Sequence, residues 1–456
     1  MLLRSANGFG AVALAALLAE QARGGPLTAR GGHFPAKARS VIFLYMDGGP
    51  SQIDTFDPKP RLTQEHGQPI KMQAPPTQFI PHDSPPKVLA SPWKFSARGQ
   101  CGTSVSDLLP HIAGRADDLC VVRSMIANFT EHANANLFLH TGFNTQGKPS
   151  LGSWVTYGLG SECQELPGYI VLKGGQIPAG GPDNFHSGFL PAVHQGSIFR
   201  DPVAPVANLE RTEPTAELQR GKLDLLAKLD QSVLGRSNDP RIEAAIANYE
   251  LAFQMQTAVP ELLAIGGETA ATERLYGLDA EATRPFGTQC LLARRLIERG
   301  VRFVEVMPPA VAGANRWDQH DRIAEGHAKM ARATDLPIAG LLADLKSRGL
   351  LDQTLVVWAG EFGRTPVAQG TSAGRDHSPY GFSIWLAGGG IRGGQVYGAT
   401  DEYGFHAIEN KVEVHDLHAT ILHLLGIDHT QLTYRFGGRD MRLTDVHGNV
   451  LHDLLT

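Results

Sequence analysis

The chain has 456 residues, of which 42% are hydrophobic and 19% are charged, and its formal net charge is −5 at pH 7. This composition excludes global disorder and allows a sizeable core, either in one large domain with insertions or in two or three average domains. A mildly acidic chain gives no support for nucleic acid as its main partner.

The N-terminus predicts an export signal. A basic residue, Arg4, precedes a short alanine-rich apolar run from Phe9 to Ala19. The run is too short for a stable membrane span, and its pattern is typical of a secretory signal. It resembles a twin-arginine signal whose first arginine is missing, as a start site assigned too late would produce. We therefore predict that residues 1–37 are signal and linker, and that the protein is periplasmic or extracellular. A mobile N-terminal helix is the alternative.

Apolar runs alternate with helical patterns along the rest of the chain. Two predicted helices each end at a glycine, and a predicted strand follows. Gln289–Arg299 ends before Gly300, and His327–Gly349 ends at Gly349. That rhythm favours an α/β fold with a mainly parallel central sheet flanked by helices, in one domain over residues 38–456. The predicted strands are Val41–Met46, Leu119–Arg123, Val301–Met307, Thr354–Ala359 and Phe382–Ala387.

Shorter or interrupted patterns complete the prediction. Residues 57–100 are rich in proline and predict an extended surface excursion. Residues from about 205 to 285 predict a helical insertion, because apolar side chains recur at three- and four-residue spacing. Two further helices are predicted, at Asp107–Ala116 and at Val414–Leu425.

The four cysteines, Cys101, Cys120, Cys163 and Cys290, form no Cys-x-x-Cys pair. A cysteine zinc site is therefore not expected. A disulfide between Cys101 and Cys120 and free structural thiols are equal alternatives.

Asp47 directly follows the first predicted strand and precedes Gly48 and Gly49. Ligands of open α/β sheets bind beyond the carboxyl ends of the strands, and glycines allow a sharp turn there. Asp47 is therefore predicted to be a metal ligand or a catalytic group. The alternative is a turn residue or a helix cap.

Three further segments carry carboxylates and histidines near predicted strands. The Asp-x-His spacing of Asp318 and His320 places both side chains on one side of an extended segment. Mixed oxygen and imidazole donors suit Zn, Mn or Ca. We predict that one or two such ions bind to Asp47, Asp318, His320, Glu361, Asp376 and His377.

Two arginines near these segments, Arg364 and Arg375, are predicted to hold a tetrahedral substrate anion in a fork. Two metal ions would clamp the attacking and leaving oxygens of a phosphoryl or sulfuryl group. The alternative is that Arg364 pairs with Glu361 and Arg375 pairs with Asp376.

A long set of motifs resembles the DUF1501 family, whose members are mostly uncharacterised, exported bacterial proteins that are abundant in planctomycetes. The opening motif is Met-Asp-Gly-Gly-Pro-Ser-Gln-Ile-Asp-Thr-Phe-Asp-Pro-Lys-Pro at 46–60, and the resemblance spans roughly residues 38–450. Further matches are Gly99–Gly102, Arg123–Met125, Ser187–Pro191, Trp317–His320, Gly360–Pro366, Gly374–His377 and Ala387–Gly390. The family is similar to the alkaline-phosphatase-like superfamily, which includes sulfatases.

The resemblance implies metal ligands at Asp47, Asp318, His320 and His377. It also implies an Asp-His pair at a position where this chain has Glu361 and Phe362. The nucleophile stays open. The superfamily spacing leads to His132, as a metal ligand or a nucleophile, and Thr130 and Ser51 are the other candidates. An activated water is a further alternative. The sulfatase pattern Cys-x-Pro-x-Arg is absent, which speaks against a formylglycine sulfatase.

These observations predict an exported, metal-dependent hydrolase of phosphate or sulfate esters that acts on a small molecule or a glycan. One alternative is a non-catalytic binding or scaffold protein that retains the fold and a structural metal. A weaker alternative is a metal-dependent hydrolase of another ester.

Overall fold

The computed structural model describes residues 27–80, 85–200, 211–237, 240–369 and 373–456. The predicted signal run from Phe9 to Ala19 lies outside the described residues. Residues 27–39, predicted as part of a linker, pack on the domain, since the backbone N–H groups of Arg30 and Lys37 donate to the carbonyl oxygens of Leu159 and Leu424.

A nine-stranded sheet runs through the described part of the chain. Its strands are β1 (Ser40–Tyr45), β2 (Leu119–Ile126), β3 (Tyr169–Lys173), β4 (Ser197–Phe199), β5 (Phe303–Met307), β6 (Thr354–Ala359), β7 (Phe382–Ala387), β8 (Gln395–Tyr397) and β9 (Val412–Glu413). The order is β8-β2-β7-β6-β1-β5-β3-β4, and β9 also pairs with β2. Only β7 runs antiparallel to its neighbours in this sheet. The predicted mainly parallel sheet is confirmed.

Helices cover both faces of the sheet. They are α1 (Gln52–Thr55), α2 (Pro60–Gln64), α3 (Pro110–Ala113), α4 (His132–Thr141), α5 (Leu151–Leu159), α6 (Ala216–Ser237), α7 (Pro240–Leu263), α8 (Ala270–Leu275), α9 (Arg284–Glu298), α10 (Ile323–Ser347) and α11 (Val414–Leu424). All six side chains of β1 are buried, as expected for a central strand with both faces covered. Ile42 and Leu44 join the core with α9 and α10, whereas Val41 and Phe43 join the core with α5 and α11.

In the described part of the predicted helical insertion, the chain forms the helices α6, α7 and α8. Helix α7 contributes buried side chains such as Val259 and Leu262 to the main core, so it is part of the domain. The single helix predicted at Asp107–Ala116 is instead the short α3 followed by a 3₁₀ turn at Ala116–Asp118.

The proline-rich region at 57–100 is more firmly packed than an extended surface excursion. Its residues Ile70, Ile80 and Val88 are buried in a small core together with Val367 and Phe405. Proline punctuation identified an irregular path but could not identify these scattered apolar contacts.

Four small antiparallel pairs complete the described elements: Phe95–Arg98 with Thr103–Ser106, Gly363–Arg364 with His377–Ser378, Ala399–Thr400 with Ala407–Glu409, and Tyr434–Phe436 with Arg439–Met441. All four cysteines are free thiols, so the structure contains no Cys101–Cys120 disulfide. Among the described helices, none combines the length and apolarity needed to cross a membrane.

Candidate metal centre

Two neighbouring strands deliver two carboxylates to the same edge of the sheet. Strands β1 and β6 are parallel, and Tyr45 lies opposite Ala359. Asp47 and Glu361 each follow two residues later, so their equal offsets place them at neighbouring strand ends. Gly48 makes the turn possible: its φ is 104°, and a Cβ there would lie 2.8 Å from the backbone nitrogen of Asp318.

Glu361 is buried and accepts hydrogen bonds from several directions. The Gly48 N–H lies 3.0 and 3.2 Å from its two oxygens, and the Tyr45 hydroxyl donates at 3.0 Å. His132 Nδ1 lies 2.7 Å from Oε1. Burial would raise the pKa of Glu361, but hydrogen bonding to His132 and its charge lower it. The alternative in which Glu361 pairs with Arg364 is not what the structure contains.

Asp318 is the common partner of three histidines. Its Oδ1 lies 2.9 Å from His320 Nε2 and 3.2 Å from His377 Nε2. Its Oδ2 lies 3.4 Å from His132 Nε2. Arg364 Nη2 also donates to Oδ1 at 2.6 Å. Burial alone would raise the pKa of Asp318, but the three surrounding imidazoles and the charge of Arg364 hold it well below its usual range.

The opposite nitrogen of each imidazole faces an oxygen. His132 Nδ1 contacts Glu361 Oε1, and His377 Nδ1 lies 2.6 Å from the carbonyl oxygen of Thr130. His320 Nδ1 contacts the side-chain oxygen assigned in Gln369. The partners of His132 and His377, a carboxylate and a carbonyl oxygen, can only accept, so Nδ1 carries the proton in each of these neutral rings and Nε2 presents a lone pair.

The lone pairs of His132 and His377 that face the carboxylate of Asp318 repel it unless a cation lies between them. A proton can play this part at His132, where burial lowers the pKa but hydrogen bonds to Asp318 and Glu361 raise it to about 9. Such a proton is less available at His377, because burial lowers the pKa of this residue to about 4. A divalent metal ion satisfies the whole donor set, and metal-bound histidines are typically held through the other ring nitrogen in this way.

The ligand atoms of His132, Asp318 and His377 lie within 4.8 Å of one another. In the described ranges this is the only group of three or more His, Cys, Asp or Glu side chains arranged so that it could hold a metal ion. His320 contacts the same carboxylate oxygen as His377 and is a further candidate ligand. Nitrogen and oxygen donors suit zinc or manganese better than an all-oxygen ion such as calcium.

Asp47 lies beside this group and is not one of its three members. Its Oδ2 pairs with Arg316, while Oδ1 is buried without a hydrogen-bond partner among the described residues. Burial and then the charge of Glu361 raise the pKa of Asp47 to about 7, although Arg316 opposes this shift. Its predicted role as a metal ligand stays a prediction.

The two arginines predicted to bind the substrate anion are instead completely buried. Arg364 Nε donates to the carbonyl oxygen of Gly49 at 3.0 Å, and its Nη2 donates to Asp318. Arg375 binds Asp54 through two nitrogens, at 2.8 and 3.2 Å. Because these guanidinium groups are enclosed and already bonded, they organise the polypeptide and do not form the expected open fork.

Two other predicted site residues also have internal partners. Ser51 Oγ donates to Asp54 at 2.6 Å, so this candidate nucleophile belongs to the Asp54–Arg375 cluster. Asp376 accepts from the backbone N–H groups of Phe79 and Ile80 at 2.7 and 3.0 Å, and from that of His377 at 2.7 Å. Its two oxygens are thereby used in holding the backbone, in place of the predicted metal coordination.

Thr130, the remaining candidate nucleophile, contributes its backbone carbonyl oxygen to His377. His132 is the first residue of α4, and the Glu131 side chain accepts from the N–H groups of Ala133 and Asn134 at the helix start. The structure thus brings His132 into the group with Asp318 and His377 that could hold a metal ion.

Several contributors were missing from the sequence prediction. Phe362 stacks on His377 with ring centroids 4.4 Å apart, and Phe79 meets His320 edge-on at 4.9 Å. Arg316 has a φ of 52°, a left-handed conformation that costs a non-glycine residue on the order of 1–3 kcal/mol. In the sequence, only the position of Arg316 next to the Trp317–Asp318 motif indicated that Arg316 belongs to the site. No sequence feature indicated this for Phe79.

The profile of the family described as "Protein of unknown function (DUF1501)" matches residues 38–455, which confirms the predicted family resemblance. No curated protein matches the chain. Solved structures similar to it include the lipoteichoic acid synthase LtaP from Listeria monocytogenes, with 10% identity, a TM-score of 0.37, and coverage of 94% of this chain and 80% of that one.

Two further similar structures are enzymes by their names. A sulfatase from Pseudoalteromonas sp. has 15% identity and a TM-score of 0.35, with coverage of 91% of this chain and 70% of that one. A phosphonate monoester hydrolase from Silicibacter pomeroyi has 14% identity and a TM-score of 0.36, with coverage of 76% and 71%. Resemblances of this degree carry no activity over to this chain.

Proposed function

The chain belongs to the DUF1501 family, and for this member we propose an exported, metal-dependent hydrolase of phosphate or sulfate esters of a small molecule or a glycan. The observation that carries the proposal is the convergence of three imidazole Nε2 atoms on the carboxylate of Asp318. Each ring is oriented by an oxygen at its other nitrogen, as expected of metal ligands.

The proposed ligands of one divalent ion are His132, Asp318 and His377, with His320 as a fourth. Such an ion would act as a Lewis acid that polarises a phosphoryl or sulfuryl oxygen. Glu361 fixes the ring of His132 by its 2.7 Å contact, and the Thr130 carbonyl fixes that of His377 at 2.6 Å. These contacts direct the Nε2 lone pairs before any ligand arrives.

Ser51 is not the nucleophile in this proposal, because its hydroxyl is buried against Asp54. The routes left for the reaction are attack by water, by the Thr130 hydroxyl, or by His132 if the ion is held by the other ligands. The burial of the Ser51 hydroxyl also favours the second candidate function, a non-catalytic binding or scaffold protein with a structural metal ion.

Turnover by metal-reconstituted protein separates these two functions. Protein stripped with a chelator is reloaded with Zn, Mn or Ca, and hydrolysis of an aryl phosphate and an aryl sulfate is followed. The enzyme proposal expects metal-dependent turnover that His377→Ala abolishes. The control His186→Ala, whose side chain is 51% exposed, should retain it. A bound metal ion without turnover of either ester would support the non-catalytic function.

A further inference from the structure

A cavity of about 130 Å³ lies on the Asp47 side of the candidate metal centre. Its polar lining comes from Asp47, Gln176, Asn315 and Arg316, and its apolar lining includes Pro308 and Pro309. An engineered cavity of about 150 Å³ holds benzene, so this cavity has room for at most one six-membered ring.

The charged groups of the cavity, Asp47 and Arg316, pair with each other and have complementary hydrogen-bonding capacity. Arg316 pairs with Asp47 Oδ2 and donates to Gln176 at 3.1 Å. These contacts use two of the five N–H donors of a guanidinium group. Asp47 Oδ1, in contrast, is a buried acceptor without a hydrogen-bond partner in the described ranges. The cavity therefore offers an acceptor next to a donor without an excess of charge.

A hydroxyl group matches this arrangement because it donates one hydrogen bond and accepts others. Because Arg316 and Asp47 are already bound to each other, neither charge is free to hold a charged ligand. The amides of Gln176 and Asn315 also combine a donor with an acceptor, and the two prolines provide an apolar surface for the C–H face of a ring. The chemistry of the lining thus fits an uncharged ring that carries several hydroxyl groups.

Asn315 connects the cavity to the metal centre. It lines the cavity, and its Nδ2 donates to Asp318 Oδ2 at 3.1 Å. The strained backbone of Arg316, with its φ of 52°, turns the chain at the next residue. A ring in the cavity would therefore lie next to an ester bound at the proposed metal ion on Asp318.

We infer that this cavity binds the alcohol portion of the ester, a single polyhydroxylated ring such as a sugar, and that Asp47 and Arg316 determine this specificity. The inference rests on the proposed function and names its substrate class. It also assigns Asp47 to a ring hydroxyl in place of a second metal ion, since Arg316 already supplies the positive charge beside it.

Saturation-transfer NMR with methyl α-D-glucopyranoside tests the inference without turnover, and cyclohexanol serves as the apolar ring control. The full-length, metal-loaded protein is compared with Arg316→Met and Asp47→Asn. The matched control is Arg322→Met, which removes another arginine with left-handed backbone whose side chain is 72% exposed. Metal content and circular dichroism are measured on each variant.

The expected result is transfer to the glucoside in the wild type and in Arg322→Met, and its loss in folded Arg316→Met and Asp47→Asn, with metal content unchanged throughout. Absence of transfer in the wild type, equal transfer to cyclohexanol, or retention in both cavity variants would overturn the inference. So would a second metal ion that Asp47→Asn loses. Because metal content at Asp318 is read separately, these failures are distinct from failure of the proposed hydrolase.

Discussion

His377 Nε2 lies 3.2 Å from Asp318 Oδ1, while the other nitrogen of the ring is 2.6 Å from a backbone carbonyl oxygen. The carbonyl oxygen accepts a hydrogen bond from Nδ1–H, so a neutral His377 presents its Nε2 lone pair to a carboxylate. Two acceptors face each other in that state, and a cation between them removes the conflict. The same relationship recurs at His132, whose Nδ1 contacts the Glu361 carboxylate, and it underlies the predictions below.

Asp318→Asn should abolish metal binding. The substitution keeps the size of the side chain but replaces the charged ligand with an amide, which is a weaker ligand without charge. Metal content after dialysis, measured by elemental analysis, should fall from about one ion per chain to background. Asp321→Asn, in the same loop with a side chain 69% exposed, should bind metal as the wild type does. A full complement of metal in Asp318→Asn would remove Asp318 from the site.

Glu361→Gln should weaken metal binding without abolishing it. Glu361 orients His132 through a 2.7 Å contact and increases the basicity of its ring. Loss of such an outer partner typically costs about 10- to 100-fold in metal affinity. Competition with a chelator measures this change. Glu298→Gln, at a partly exposed residue paired with Arg348, provides a control that should match the wild type.

Metal affinity should rise with pH until His132 is deprotonated. In the metal-free protein, burial lowers the pKa of this residue, but hydrogen bonds to Asp318 and Glu361 raise it to about 9. Below that pH a metal ion must displace a proton, so the apparent affinity should fall by about tenfold per pH unit.

His377, with its pKa lowered to about 4, should add no competition at neutral pH. Titrations between pH 6 and pH 9 check this dependence, and Glu361→Gln should shift it to lower pH. An affinity that does not change across this range would mean that His132 is not a ligand.

Arg375→Met should destabilise the fold. Its guanidinium group is fully buried and bound to Asp54 by two hydrogen bonds. Removal of one partner leaves a buried charge alone, which typically costs about 3–5 kcal/mol. Urea unfolding monitored by circular dichroism gives the change in free energy. The control Glu250→Ala disrupts the exposed pair between Arg220 and Glu250 and should leave the unfolding curve unchanged. Equal losses of unfolding free energy in Arg375→Met and Glu250→Ala would contradict this account.

The fold was predictable because its signals are local. Helices that end at glycine before buried strands specify parallel pairing, and the turns after β1 and β6 identify Asp47 and Glu361. These two residues follow neighbouring strands at the same offset, so the sequence pattern was sufficient to place them at one edge.

The rest of the site depends on contacts between distant segments. The nearest sequence partner of Arg375 is Asp376, yet in the structure it pairs with Asp54, 321 positions away. Asp376 in turn accepts from the backbone of Phe79. No periodicity or motif encodes such pairings, so the sequence analysis assigned Arg375 to a substrate anion and Asp376 to a metal ion, whereas both have partners within the protein.

Anomalous X-ray diffraction from crystals of the reconstituted protein, collected at the absorption edge of the added metal, tests the central claim most directly. Our account predicts one strong peak per chain, about 2.1 Å from His132 Nε2 and His377 Nε2 if the ion is zinc, and next to the carboxylate of Asp318. The absence of a peak, or a peak at Asp47 alone, would contradict the proposed metal centre.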